Sequence, residues 1–296
     1  MDYPHKRKKE LESMPPPTRK LRNYMNIVCP ICSESLSFFT NGLLLNRLIT
    51  IHYCSACNSF IKDINERAYT LYFNKSIYTD FNNEKETYKQ RFSYLGHIFS
   101  LAQQHKKVIR NWLDFGCSYG HFIELLNSKG IISYGIEISD RAREMTNVKG
   151  LQVYRKLEDL PSMMFNAVSF IDSFYYTLEP KLLLSKVFQL LSDDGLLVIR
   201  IANRNWLMKF NKWVRHQNIS TILPEHAILY SDKSITYLLQ TSGFEILRVT
   251  SIEKGKRRSM KDSLLYATAV ILYVVSFRYI NLLPGIILIA RKRACN

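Results

Sequence analysis

A chain of 296 residues that is 47% apolar can bury the core of one α/β domain and still supply a small accessory unit. It holds no long internal repeat or low-complexity tract, which sets repeat architectures aside. The formal charge of +16 sits at the ends: residues 1–22 carry +4 and residues 254–296 carry +8, leaving +4 for everything between. A basic face built to track nucleic acid is therefore not expected on the body, and RNA contact is left to the tails.

Residues 1–23, with Lys6-Arg7-Lys8-Lys9 and Pro15-Pro16-Pro17, read as a basic flexible arm. The arm lacks the apolar segment of a secretory leader, so a cytoplasmic chain is expected. Four of the six cysteines then form two C-x-x-C pairs, Cys29 with Cys32 and Cys54 with Cys57, 21 residues apart. Four thiolates make a closed tetrahedral site with no open position for chemistry, which predicts a structural zinc ribbon over 24–65. The competing reading, two disulfides or a redox pair, needs an oxidising compartment. Residues 66–105 follow as a tyrosine-rich linker or lid carrying Tyr69, Tyr72, Tyr78 and Tyr88, with Arg91 opening a helix.

The stretch expected to form the core, 106–296, starts with W-L-D-F-G-C-S-Y-G at 112–120. An apolar run that ends in an acid and a glycine-bearing turn reads as a buried parallel strand (108–115) feeding a helix (121–128). A second acid, Glu137, lies in the next strand, in Y-G-I-E-I-S. A dinucleotide fingerprint needs glycine at the first, third and sixth positions; here those are Gly116, Ser118 and His121. Taken instead as G-x-G-x-G, the turn keeps Gly116 and Gly120 around a small Ser118. In this form it resembles motif I of the class I S-adenosylmethionine-dependent methyltransferases. Other doubly wound proteins also combine strand, turn and helix in this way.

Segments downstream extend the resemblance. F-N-A-V-S-F-I and Asp172 look like a fourth strand with its acid at the carboxyl end; 180–191 is an apolar-periodic helix; and S-D-D-G-L-L-V-I-R-I-A-N resembles the family's turn into strand five. E-H-A-I-L-Y-S-D-K-S through G-F-E-I-L-R-V, at 225–249, resembles the family's histidine, aromatic-serine turn, helix and sixth strand. The implied fold is α/β, a doubly wound seven-stranded Rossmann-like methyltransferase sheet with a small N-terminal zinc ribbon. Ribbon, tyrosine-rich stretch and core together resemble deoxysugar C-methyltransferases and ubiquinone-type O-methyltransferase relatives.

The resemblance implies S-adenosyl-L-methionine as cofactor. Asp114 is expected near its amino-acid moiety, Glu137 on both ribose hydroxyls, and Gly116, Cys117, Gly120 and Ile138 around it. Asp159, in L-E-D-L-P, is a candidate for the adenine amine, because a carboxylate accepts that hydrogen bond. Arg91 is a candidate for the methionine carboxylate, and a solvated helix charge is its alternative. Where relatives place Glu-His after strand four, this chain has Tyr175-Tyr176. The base is therefore sought among His226, Tyr175, Tyr176 and Asp172, with His226 preferred because imidazole accepts a proton near neutral pH.

From 263 to 277 run 15 uncharged, mostly apolar residues flanked by basic ones, and the apolar insertion extends over about 262–283. Three readings stay open: an interfacial helix or hairpin on a membrane, a dimer or lid helix, and a true span interrupted by Arg278 and Pro284-Gly285. The function expected is methyl transfer to a hydroxyl or carbon of a small-molecule, glycan or lipid-linked acceptor, with peripheral membrane contact through 254–293. The rivals are an RNA methyltransferase, whose zinc-ribbon members this chain also resembles, and a non-catalytic membrane scaffold.

Overall fold

A computed structural model describes residues 27–44, 47–64, 84–203, 205, 206, 208, 226–255 and 260–293. The basic arm, Tyr69, Tyr72, Tyr78 and Glu225 lie outside the described residues. The first sheet comprises β1 (Ser37–Leu44), β2 (Arg47–Cys54) and β3 (Ser59–Lys62). The large unit follows with α1 (Glu84–Gln103), β4 (Asn111–Phe115), α2 (His121–Ser128), β5 (Ile132–Ile136), α3 (Asp140–Val148), β6 (Gln152–Tyr154), β7 (Phe165–Ile171), α4 (Pro180–Leu190) and β8 (Leu191–Ala202). After it come β9 (Ile228–Leu229), α5 (Asp232–Thr241), β10 (Phe244–Thr250), α6 (Met260–Val275) and β11 (Gly285–Lys292). Arg91 thus lies within α1, which starts seven residues earlier than the sequence suggests.

The large sheet has the order β6-β5-β4-β7-β8-β11-β10. β4 to β8 pair in parallel, while β11 is antiparallel to both β8 and β10. The carboxyl ends of β4, β5, β7, β8 and β10 therefore share one edge, where open α/β sheets bind ligands.

Strand alternation builds the core. Leu197, Ile199, Ile201, Ile286 and Leu288 point to one face, where Leu184 and Val187 of α4 and Leu238 and Leu239 of α5 cover them. Their neighbours Leu196, Val198, Ile287 and Ile289 point to the other, against Leu95, Ile98 and Ala102 of α1 and Phe122 and Leu126 of α2. Continuous apolar runs are what strands buried on both faces require.

The ribbon is not set apart from this body. β9 pairs with β3, Phe60 opposite Leu229 and Ile61 opposite Ile228, so the small sheet runs β1-β2-β3-β9. The Lys62 N–H donates to the Ala227 carbonyl, and Ser231 Oγ donates to the Cys57 carbonyl. No helix among the described residues is long and apolar enough to cross a membrane, so the spanning reading of the insertion does not hold for α6.

Candidate active site

The turn after β4 is held in an unusual conformation. Gly116, Ser118 and Gly120 all have positive φ, at 69°, 51° and 76°. Glycine visits that region freely and serine only at a cost. A Cβ on Gly116 would fall 2.5 Å from Ser173 Cβ, and one on Gly120 would fall 2.3 Å from Leu151 Cδ1, so neither position admits a side chain. Ser118 adopts the same left-handed backbone with its side chain present.

Two acids flank this turn. Asp114 is buried, and its Oδ1 accepts from Ser169 Oγ at 2.6 Å. Ser169 Oγ in turn accepts from Trp112 Nε1 at 2.8 Å. Burial pushes Asp114 up to about 7, against the Ser169 hydrogen bond and the positive charge of Arg91. Glu137 is also buried; its Oε2 accepts from the Ser118 N–H and its Oε1 from the Ser139 N–H, each at 2.8 Å. Burial raises its pKa, and these two backbone donors resist the rise. Ser118 thus ties the turn to the acid of the neighbouring strand.

Each remaining predicted position has a definite place. The Cys117 side chain packs inward, its Sγ 2.5 Å from where a Gly135 Cβ would sit, and burial keeps its thiol protonated. Ile138 is exposed beyond β5. Asp159 is exposed at the end of a short helical turn and accepts from the Lys156 N–H at 3.3 Å. Arg91 Nη2 lies 3.7 Å from Asp172 Oδ2. His121, at the start of α2, is buried and meets the Tyr88 ring edge-on at 5.1 Å.

Asp172 leaves β7 with φ 62°. Its carboxylate pairs with Arg200 Nη1 as well as with Arg91. Arg200 is buried on β8 and forms two hydrogen bonds to Glu253 Oε1, from Nε at 2.8 Å and from Nη2 at 2.6 Å. Tyr94 lies across its guanidinium at 5.8 Å. Asp172, one of the four candidate bases, is thus paired with two guanidinium groups.

The other three candidates form one aromatic cluster. His226 is buried with its ring stacked on Tyr175, centroids 3.5 Å apart and planes 14° apart. Tyr176 meets the same imidazole edge-on at 5.4 Å. The Ala227 N–H donates to the Tyr175 carbonyl at 3.0 Å, so the segment after β7 and the segment before β9 are bonded together.

The sequence reading missed Ser169, Arg200 and Glu253. A hydroxyl inside F-N-A-V-S-F-I and a cation inside L-L-V-I-R-I-A were visible signals, since a buried polar group needs a partner.

The four cysteine thiols lie within 4.8 Å of one another. Cys29 Sγ is 3.7 Å from Cys57 Sγ, and Cys32 Sγ is 3.4 Å from Cys54 Sγ; tetrahedral thiolates around zinc would stand about 3.8 Å apart. The residues that follow the two pairs, Ser33 and Asn58, both have positive φ, so each knuckle turns the same way around the cluster. The donor set fits a zinc ribbon.

A seven-stranded sheet of this order with a glycine-bearing turn and strand-end acids is the fold of a class I S-adenosylmethionine-dependent methyltransferase. The methyltransferase domain family model matches residues 87–249, more than half of the chain, and the chain belongs to that family. Its fold is similar to the plantazolicin methyltransferase BpumL in complex with SAH, at 16% identity and TM-score 0.52, over 77% of this chain and 95% of that one. It is also similar to the plantazolicin methyltransferase BamL in complex with a triazolic desmethylPZN analog and SAH, at 18% identity and TM-score 0.53, over 76% and 94%. A third likeness is an S-adenosylmethionine-dependent methyltransferase from Clostridium acetobutylicum ATCC 824, at 12% identity and TM-score 0.50, over 72% and 96%. No curated protein sequence matches.

Proposed function

We propose that this enzyme transfers a methyl group from S-adenosylmethionine to a hydroxyl or carbon of a small-molecule, glycan or lipid-linked acceptor. The observation that carries the reading is the pair of buried acids, Asp114 and Glu137, on either side of a left-handed turn, at the same sheet edge as His226, Tyr175 and Tyr176. When bound, the cofactor supplies an electrophilic methyl on its sulfonium. Asp114 would accept from the cofactor's ammonium, and Arg91 would pair with its carboxylate. Glu137 keeps lone pairs for two ribose hydroxyls beside its two backbone donors. Gly116 and Gly120 would let the ligand approach the backbone, Cys117 and Ile138 would line its site, and Asp159 would accept from the adenine amine.

Displacement at a methyl carbon asks the protein to align the acceptor and to take its proton. His226 takes that proton on an imidazole nitrogen, held in orientation by the stacked ring of Tyr175 and the edge of Tyr176. Asp172 is left to position Arg91 through its carboxylate. Cys29, Cys32, Cys54 and Cys57 would hold a structural zinc, which would fix the ribbon whose β3 pairs with β9, two residues beyond His226. An RNA acceptor is the weaker reading, because the positive charge lies in the tails rather than over the body.

Calorimetry with S-adenosylmethionine and S-adenosylhomocysteine, followed by labelled methyl transfer to pooled acceptors, tests the reading. Micromolar cofactor binding and label transfer lost in His226→Ala are expected. Cofactor binding without turnover on any pool would point to a scaffold, and no binding by folded, zinc-loaded protein would remove the proposal. Elemental analysis should find about one zinc per chain.

A further inference from the structure

Helix α6 is held by a narrow seam. Tyr273 is buried, and the Tyr266 hydroxyl accepts from the Glu253 N–H at 2.6 Å and donates to the Glu253 carbonyl at 3.0 Å. These two tyrosines are seven residues apart, two turns of the helix on one side. Around the rest of the helix Leu264, Leu265, Ile271, Val274 and Val275 are exposed, and in the turn that follows Phe277 and Tyr279 are 94% and 93% exposed. A continuous apolar surface of this kind marks an interaction face, whereas scattered exposed apolar residues do not.

Charge identifies the occupant. Residues 254–278 hold six Lys and Arg against one acid, Asp262, and Lys254, Lys261 and Arg278 bracket the helix itself. A second copy of this chain docked face to face would bring the same cations together. An anionic lipid surface would instead be attracted to them, by about 1 kcal/mol for each basic residue close to it. At 16 residues the helix rises only about 24 Å, short of the roughly 30 Å of a hydrocarbon core, so it suits lying in the interface.

Topology places this face beside the site. β10 ends at Thr250 and β11 begins at Gly285, both at the carboxyl edge of the sheet, so the connection that carries α6 leaves and rejoins the sheet at that edge. Gly255 presses on Ser93 of α1, where a Cβ would lie 2.6 Å from the Ser93 carbonyl oxygen. Tyr266 holds Glu253, Glu253 holds Arg200, and Arg200 holds Asp172 at the end of β7.

We infer that α6 and the turn after it seat the protein on an anionic bilayer, with the edge that carries Asp114, Glu137 and His226 next to the lipid headgroups. The inference deepens the methyl-transfer reading and rests on it for its consequence: the acceptor is lipid-linked, its reactive headgroup presented at the membrane surface.

Flotation of the full zinc-loaded chain with vesicles tests the docking. Vesicles of phosphatidylcholine containing phosphatidylglycerol are expected to carry the protein, and vesicles of phosphatidylcholine alone to carry far less. The quadruple variant Leu264→Gln, Leu265→Gln, Ile271→Gln, Val275→Gln alters only exposed side chains. It should keep the circular dichroism spectrum and cofactor affinity of the parent while losing about a hundredfold in vesicle binding. Folded, cofactor-binding protein that ignores anionic vesicles overturns the inference, as does a concentration-dependent dimer that the quadruple variant abolishes in protein that does not bind lipid. Cofactor affinity measured without vesicles tests the methyl-transfer reading separately. With labelled cofactor and vesicles of total cellular lipid, label in the organic phase is expected, and label only in water-soluble products overturns the lipid-linked acceptor.

Discussion

The two acids beside the turn are buried, and of the two acids around Arg200 the one after β10, Glu253, is buried and the one after β7, Asp172, is half-buried; the two pairs are held in opposite ways. Asp114 and Glu137 are partnered by a hydroxyl and by backbone N–H groups, and burial raises both their pKa values. Asp172 and Glu253 instead flank the buried guanidinium of Arg200, with Arg91 on the far side of Asp172. Among the described residues no cation is bonded to either carboxylate of the first pair, so a positively charged ligand gains by arriving. The second pair is balanced within the protein, and its work is to hold β7, β8 and the segment after β10 together. Burial of a carboxylate thus marks a ligand site only when the protein has not supplied the counter-charge itself.

The sharpest way to break this contrast is Arg200→Leu. Removing the cation leaves Glu253 buried without its partner, and a loss of about 3–5 kcal/mol is expected in denaturant unfolding. A change below about 1 kcal/mol would show that the cluster is not what holds these strands. Glu137→Ala should act on the other axis: about 2 kcal/mol of cofactor affinity lost by calorimetry through two charge-assisted hydrogen bonds. Unchanged affinity would falsify the assignment of Glu137 to the ribose.

A pH series sharpens the contrast further. Asp114, raised to about 7, keeps in the fold a proton that the unfolded chain releases near pH 4. This acid's contribution to ligand-free stability therefore falls as pH rises from about 4 to 7. Cofactor binding runs the other way, because the ammonium prefers the carboxylate; affinity should climb by up to about tenfold per unit below pH 7 and level off above it. A flat profile would mean that Asp114 does not meet the ammonium. The smallest effect is expected from Ser169→Ala. Losing the donor to Asp114 should weaken binding at neutral pH by about 1 kcal/mol and move the midpoint of that profile upward.

The strand-end acids and the cysteine pairs were legible because their meaning is local: a carboxylate closing an apolar run, or two thiols three residues apart, carries its geometry in the spacing. The doubly wound seven-stranded sheet followed from the family resemblance and stands in the structure, whereas the strand order and the antiparallel β11 appear only in the structure. What stayed hidden depends on partners distant in sequence. Arg200 announces itself as a cation in a buried run, but that Glu253 answers it follows only from β10 and β11 being registered beside β8. The stacking of His226 on Tyr175 and the pairing of the two-residue β9 with the ribbon have no periodic signature. A ribbon drawn as ending at 65 gave no hint that its fourth strand lies more than 160 residues on.

β11 lies between β8 and β10, although the chain reaches it after both. During synthesis, the apolar flank of β8 and the facing side of β10 must wait, unpaired, until Lys292 has left the ribosome. Antiparallel insertion of that late strand then closes the sheet in a single step. Interrupted translation anywhere in the preceding insertion would leave two open strand edges on an otherwise formed body, a species prone to edge-to-edge association. A nascent chain stalled before β11 is therefore expected to be a substrate for chaperones, and release of the last strand is the event that frees it.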